Sequence, residues 1–197
     1  MHRADSLIAH VLADPVNARV LDELERLAVP DAWMVSGCIF QAVWNALTNR
    51  PPGYGINDYD VFYFDPDTSY EAEDAVISNC AAALTDIAAE VQVRNQARVH
   101  LWYPEKFGKP YPPVTNATEG LDRFLAPCCA VGVRRVNGDF QIAAPFGIDD
   151  LFAMAIRPNV RTTGPRDQYE AKSIRWQSKW PEVTILPWSE PREAPAL

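Results

Sequence analysis

The strongest chemical signal in the chain is Asp58-Tyr59-Asp60, set in the run Asn57-Asp58-Tyr59-Asp60-Val61-Phe62-Tyr63-Phe64. The run is rich in aromatic and β-branched residues, reads as a strand, and is closed by Asp65-Pro66-Asp67. Side chains alternate along a strand. Both carboxylates therefore share one face, about 7 Å apart, while Tyr59, Val61 and Tyr63 take the other. Paired carboxylates repel and are depleted from strands, so a compensating cation is expected. A hard divalent ion such as Mg²⁺, or Mn²⁺, suits the pair because it takes oxygen ligands and bridges to phosphates. The competing possibility is a solvated edge-strand face, or a turn just before the strand, since Asp-x-Asp is a short motif.

A second feature lies upstream. Ala32-Trp33-Met34-Val35 is a short apolar strand that runs into Ser36-Gly37-Cys38. Ile39, Val43, Trp44 and Leu47 then recur at helical spacing, so Gly37 stands at a strand-to-helix junction. A glycine at a helix N-terminus lets backbone N–H groups approach a phosphate. The intervening helix and the loop Pro51-Pro52-Gly53-Tyr54-Gly55 bring the chain to the acid pair. The two features together describe a site with phosphate at one end and metal at the other.

The rest of the chain must position these groups. Residues 5–28 read as two helices broken at Asp14-Pro15, a cap followed by a first helical position. Residues 70–89 are helical in pattern. Glu90 to Tyr103 reads as extended, with Gln96, Arg98 and His100 on one strand face. Arg98 is suited to a phosphate; His100 is suited to a base or ligand role, or to a hydrogen-bonded place in the core. Residues 104–118 are Pro-rich and loop-like, and residues 119–125 form a short helix. Asn137-Gly138 between two apolar runs signals a hairpin. Asp149 caps a helix running to Ile156, and a last helix over 167–180 carries Tyr169, Ser173, Trp176 and Trp180 on its inward face. The fold class is α/β (α+β): a small mixed sheet with flanking helices and a C-terminal hairpin-plus-helix extension. The expected boundaries are a core over 1–118, an extension over 119–188 and a loose tail over 189–197.

Composition narrows the function classes. The chain has 18 Lys plus Arg against 26 Asp plus Glu, a net charge of −8. No basic run exceeds Arg134-Arg135, so bulk nucleic acid and anionic membrane are excluded as partners. A small nucleotide stays compatible, because metal ions neutralise its phosphates. No apolar run is long enough for a spanning helix, and the N-terminus lacks the apolar stretch of a signal peptide, so a cytoplasmic location is expected. The four cysteines contain no CxxC pair and read as reduced, buried thiols.

Val35-Ser36-Gly37-Cys38, a helix, then Asp58-Tyr59-Asp60-Val61 resembles the nucleotidyltransferase superfamily of DNA polymerase beta and the kanamycin nucleotidyltransferases. Its pattern is apolar-Gly-Gly/Ser, a helix, then apolar-Asp-apolar-Asp/Glu-apolar. The phrases Gly37 to Asn45, Pro51 to Asp58, Asn95 to Trp102 and Ala144 to Leu151 resemble one bacterial branch, a nucleotidyltransferase-like family of unassigned substrate. The resemblance covers about residues 30–188. It implies transfer of a nucleoside monophosphate from a nucleoside triphosphate to a hydroxyl on a small molecule or protein, with two metals holding the triphosphate. Asp58 and Asp60 match its paired metal ligands. Gly37 and Cys38 match its phosphate-loop pair, although the second position is usually Gly or Ser. Ser36, Asn45, Asn95 and Arg98 complete the candidate nucleotide set, and His100 joins Asp58 and Asp60 as a catalytic candidate. The superfamily also expects a third acid inside a later strand. Val91-Gln92-Val93 and Val99-His100-Leu101 contain none, and Glu90, at the strand's beginning, fits only if the register shifts. The incomplete acid set leaves a second reading, a catalytically degenerate nucleotide-binding or regulatory protein of the same fold. A third is a metal-dependent phosphate hydrolase using the same acid pair.

Overall fold

The computed structural model describes residues 2–161 and 165–188; the expected tail over 189–197 lies outside them. The chain opens with α1 (Arg3–Leu12) and α2 (Pro15–Arg26). Asp14 separates them as the cap of α2, its carboxylate accepting from the N–H groups of Val16 and Asn17. There follow β1 (Trp33–Val35), α3 (Gly37–Leu47), β2 (Asp58–Tyr63), α4 (Tyr70–Ala83) and β3 (Glu90–Asn95). After a 3-10 turn over Gln96–Arg98 come α5 (Val99–Phe107) and a longer 3-10 segment over Ala117–Arg123. The remainder is β4 (Gly132–Val136), β5 (Asp139–Ala143), α6 (Asp149–Phe152), β6 (Ala155–Ile156), α7 (Arg166–Lys179) and β7 (Thr184–Ile185).

Five strands form one mixed sheet in the order β3-β2-β1-β4-β5, and β6 pairs with β7 separately. β2 is antiparallel to β1 and parallel to β3; β4 joins β1 and turns back into β5. The hairpin turn has positive φ at both Asn137 (52°) and Gly138 (84°), as a type I′ turn demands.

One sheet face is buried under α1 to α4. Met34, Tyr59, Val61, Tyr63, Val93 and Val133 meet Ile39, Phe40, Val43 and Trp44 there in the main core. Helix α7 closes the flank through edge-to-face rings, with Trp176 at 5.1 Å from Phe40 and Trp180 at 5.6 Å from Trp44. The opposite face is only partly covered. Ala117 and Leu121 sit on Trp33 and Val35, with Phe62, Phe64 and Phe124 packed alongside. That small cluster covers the Phe62 end of β2 and leaves the Asp58 end open.

The chain departs from the expected extended run over 90–103. β3 stops at Asn95, whose side-chain oxygen accepts from the Ala97 N–H at 3.0 Å and turns the chain into helix α5. α4 ends at Ala83, and the helix expected over 149–156 is the single turn Asp149–Phe152 followed by β6. Ile148, not Asp149, takes its N-cap position, and no side chain caps it. Among the described residues no helix is long and apolar enough to cross a membrane.

Candidate active site

The alternation of β2 separates its two faces as its residue types dictate. Tyr59, Val61 and Tyr63 are buried, while Asp58, Asp60 and Phe62 are partly exposed on the open face. From the buried side, the Tyr59 hydroxyl donates to Asp14 at 3.1 Å and ties β2 to the start of α2. Val35 stands opposite Asp60 in the antiparallel pair, so Ser36 and Gly37 continue alongside β2 toward Asp58. The helix junction and both carboxylates thus share one end of the open face.

The junction itself is tightly held. Ser36 sits at φ 60°, ψ −120°, a conformation that costs a non-glycine residue on the order of 1–3 kcal/mol. Its N–H donates to Val131 O at 2.9 Å, and its carbonyl accepts from Ile39 and Phe40, both at 3.0 Å. The N–H groups of Gly37 and Cys38, in the first turn of α3, have no acceptor within the helix. A Cβ on Gly37 would lie 3.3 Å from the Gln41 amide nitrogen. Gln41 is 7% exposed, and its side-chain oxygen is buried without a partner. The Cys38 thiol is in the core, and burial pushes its pKa well up, with the Asp60 charge adding. Cys38 therefore offers this site its backbone and not its sulfur.

The electrostatics mark Asp60. Its carboxyl pKa is pushed up to about 6, by burial first and by Asp58 second; Glu90 adds to the push, while Lys172 and Arg94 oppose it. The carboxylates of Asp58 and Asp60 make no hydrogen bond or ion pair among the described residues. Glu90 stands directly opposite Asp58 in the parallel pair, with Gln92 opposite Asp60 and Arg94 opposite Phe62. Paired residues share a face, so Glu90 joins the acid pair with no shift of register. Gln92 holds it through a 2.8 Å hydrogen bond.

The other expected site residues lie elsewhere. Asn45 is buried, donating to Tyr54 O at 2.9 Å and accepting from the Trp180 indole at 3.0 Å, so it pins α7 to α3. Asn95 is buried, accepting from the Asp65 N–H at 3.1 Å and donating to the Asp65 carbonyl at 2.9 Å, so it stitches the loop after β2. Arg98 pairs with Glu73 at 2.7 Å at the start of α4. His100 lies in α5, beyond the Asn95 end of β3, whereas Asp58 pairs with the Glu90 end. The strand alone spans roughly 16 Å, so His100 stands apart from the acid pair. All three of Gln96, Arg98 and His100 lose the shared strand face because the chain is helical there.

A family model described as Nucleotidyltransferase matches residues 22–185. The chain belongs to the nucleotidyltransferase family. Among solved structures, one whose title reads "The NMR structure of the protein reveals a CCA-adding enzyme head domain" matches it with a TM-score of 0.72. The match covers 92% of this chain and 95% of that one at 23% identity, which shows the fold alone. No curated protein matches this chain. Glu90, admitted from the sequence only on a shift of register, and Arg94, Gln41 and Lys172, which the sequence did not single out, border the acid pair or the helix junction. The first two carried a signal: with Val91 and Val93 inward, period two turns Glu90, Gln92 and Arg94 outward. Only strand pairing reveals that outward means beside Asp58.

Proposed function

We propose that this nucleotidyltransferase is metal-dependent and moves a nucleoside monophosphate from a nucleoside triphosphate to a hydroxyl on a small molecule or protein. The observation that carries the reading is the meeting of Asp58, Asp60 and Glu90 on one open sheet face beside the N-terminus of α3. Three carboxylates supply only oxygen donors, the set a hard divalent ion takes. Asp58, Asp60 and Glu90 are the residues that would hold Mg²⁺ or Mn²⁺. Once bound, the metal would neutralise the triphosphate and polarise its phosphorus centres.

The chain's own groups orient the substrate. The N–H groups of Gly37 and Cys38 and the positive end of α3 favour phosphate oxygens. Arg94, exposed on the same face, is placed to meet a further phosphate or the acceptor; its guanidinium now donates to Val93 O at 3.0 Å. Among the described residues, no three His, Cys, Asp or Glu side chains converge tightly enough to cage a metal by themselves. Ligation completed by phosphate oxygens fits that spacing. The same looseness favours the second reading, a protein that binds nucleotide without turning it over.

One screen separates the two. The four nucleoside triphosphates are tested with Mg²⁺ or Mn²⁺, following pyrophosphate release and thermal shift together. Thermal shift without release selects the binding reading. In calorimetry, Asp58→Asn is expected to weaken Mg-nucleotide binding by at least tenfold, and Glu90→Gln to suppress release more than binding. Unchanged affinity in Asp58→Asn would remove its metal role.

A further inference from the structure

We propose that β3, the free edge of the main sheet, pairs antiparallel with β3 of a second copy of this chain about a two-fold axis at Gln92, so that the two five-stranded sheets become continuous. The pairing does not depend on the transfer chemistry.

β3 is the last strand in the order β3-β2-β1-β4-β5, and no strand among the described residues pairs with its outer side. Along a strand, the N–H and C=O of one residue point to the same side and those of the next residue to the other. The Val93 carbonyl accepts from the Arg94 guanidinium at 3.0 Å, and the Asn95 N–H donates to Glu73 of α4 at 3.0 Å. Neither bond goes to β2, so the odd-numbered residues turn their backbone groups to the free edge. Val91 and Val93 thus present a donor and an acceptor each. Such an edge is a template for another strand.

The side chains choose the partner and the register. On the open face β3 carries Glu90, Gln92 and Arg94, an acid and a base placed symmetrically about Gln92. In an antiparallel pair centred on Gln92, each Glu90 stands opposite the partner's Arg94, and opposed charges meet twice. Val91 then stands opposite the partner's Val93, and the outward backbone groups of both form ladder hydrogen bonds in that same register. To allow this, the Arg94 guanidinium leaves its own Val93 carbonyl and turns to the partner's Glu90. Sliding the strand by two residues in either direction breaks both charge pairs. Charges along an edge ordinarily keep other strands away; opposite charges set symmetrically admit a copy of the same strand. The other edge, β5, lacks this symmetry, since pairing about its central Gln141 sets Asp139 opposite Ala143.

The opposite face adds apolar area. A groove of about 270 Å³ lies between α4 and the valine side of β3, lined by Ile77, Cys80, Leu84, Ile87, Val91 and Val93. Cross-strand partners share a face, so the axis stands perpendicular to the sheet and the two grooves lie side by side across the valine contacts. An isologous contact of this kind closes at two copies and leaves no β3 edge free. Because Glu90 stands opposite Asp58 on the open face, the partner's Arg94 reaches the rim of the candidate site.

The test is sedimentation velocity on the full chain, without nucleotide or metal, over a micromolar dilution series. The wild type should sediment as a dimer that dissociates on dilution. Arg94→Glu sets like charges opposite each other twice and should raise the dissociation constant by roughly tenfold or more. The double charge swap, Glu90→Arg with Arg94→Glu, restores opposed charges and should return the dimer. Both side chains are exposed, so circular dichroism and melting temperature of the dilute chains should match wild type. Amide hydrogen exchange at Val91 should slow as wild-type concentration rises. A wild type that stays a single chain throughout overturns the inference. So does a dimer that Arg94→Glu leaves unchanged, a double swap that stays apart, or Val91 exchange indifferent to concentration. The transfer reading stands or falls separately, on pyrophosphate release.

Discussion

Asp60 shows how residue-scale chemistry can be read in stability. Its carboxyl is pushed up to about 6 by burial and by Asp58, above the 3.8 of a free side chain. The folded state therefore holds the proton more tightly than the unfolded one. The contribution is fully present below pH about 4 and is lost as pH rises through about 6. Replacing Asp60 with Asn removes that loss. Asp60→Asn should melt higher than wild type above pH 6, by on the order of 1–2 kcal/mol after solvent screening, and match it near pH 4. Paired thermal melts across pH 4–8 check this, and a constant offset would mean that the two carboxylates do not compete for one face. On the proposed function, the same substitution should cost Mg-nucleotide binding.

At the scale of elements, α7 is positioned by one close approach. Gly55 lies at φ +75°, and a Cβ there would come within 2.5 Å of the Trp180 ring. Trp180 is fully buried, with its indole held by Asn45 at 3.0 Å. Gly55→Ala meets both a left-handed backbone and a filled space, so it should destabilise by about 2–4 kcal/mol. Chemical denaturation measures that loss. A near-neutral result would show that α7 can move away from the loop before β2. The Pro-rich stretch after α5 plays a comparable part on the other side. Its Tyr111 ring lies under Arg123, 3.7 Å from the guanidinium carbon, and the chain then crosses to Ala117, whose N–H donates to Asp31 at 2.8 Å. It ends over the Phe62 end of β2 and sets how far the open face extends.

For the whole molecule, charge decides the class of partner. The net charge of −8 and the open acidic face oppose any polyphosphate that arrives without metal. The ion pairs of Arg134 with Asp31 and of Arg135 with Glu25 leave the one basic dipeptide largely neutralised. Duplex DNA should therefore show no binding by fluorescence anisotropy at 150 mM salt, while a Mg-bound mononucleotide does bind. Micromolar duplex affinity, falling steeply with salt, would show a basic surface at work and return nucleic acid to the list of acceptors.

Local chemistry determined much on its own. The cap at Asp14, the Asn137-Gly138 turn, the alternation through Asp58 and Asp60 and the aromatic stripe of α7 depend on residues within a few positions of one another, so their patterns are visible along the chain. The acid pair and the glycine junction were legible for the same reason. Pairing between distant segments decided the rest. Glu90 looked out of register until β3 lay parallel to β2, which sets it opposite Asp58, thirty-two residues away in the chain. His100, Arg98, Asn45 and Asn95 carried suitable chemistry, yet Asn95 turned the chain into α5 and the two asparagines were consumed by buried hydrogen bonds. Helix α7, more than a hundred residues from α3, reaches it through the rings of Trp176 on Phe40 and Trp180 on Trp44. A linear pattern carries the residue types; which of them meet depends on which apolar faces find one another, and burial settles that only when the whole chain is folded.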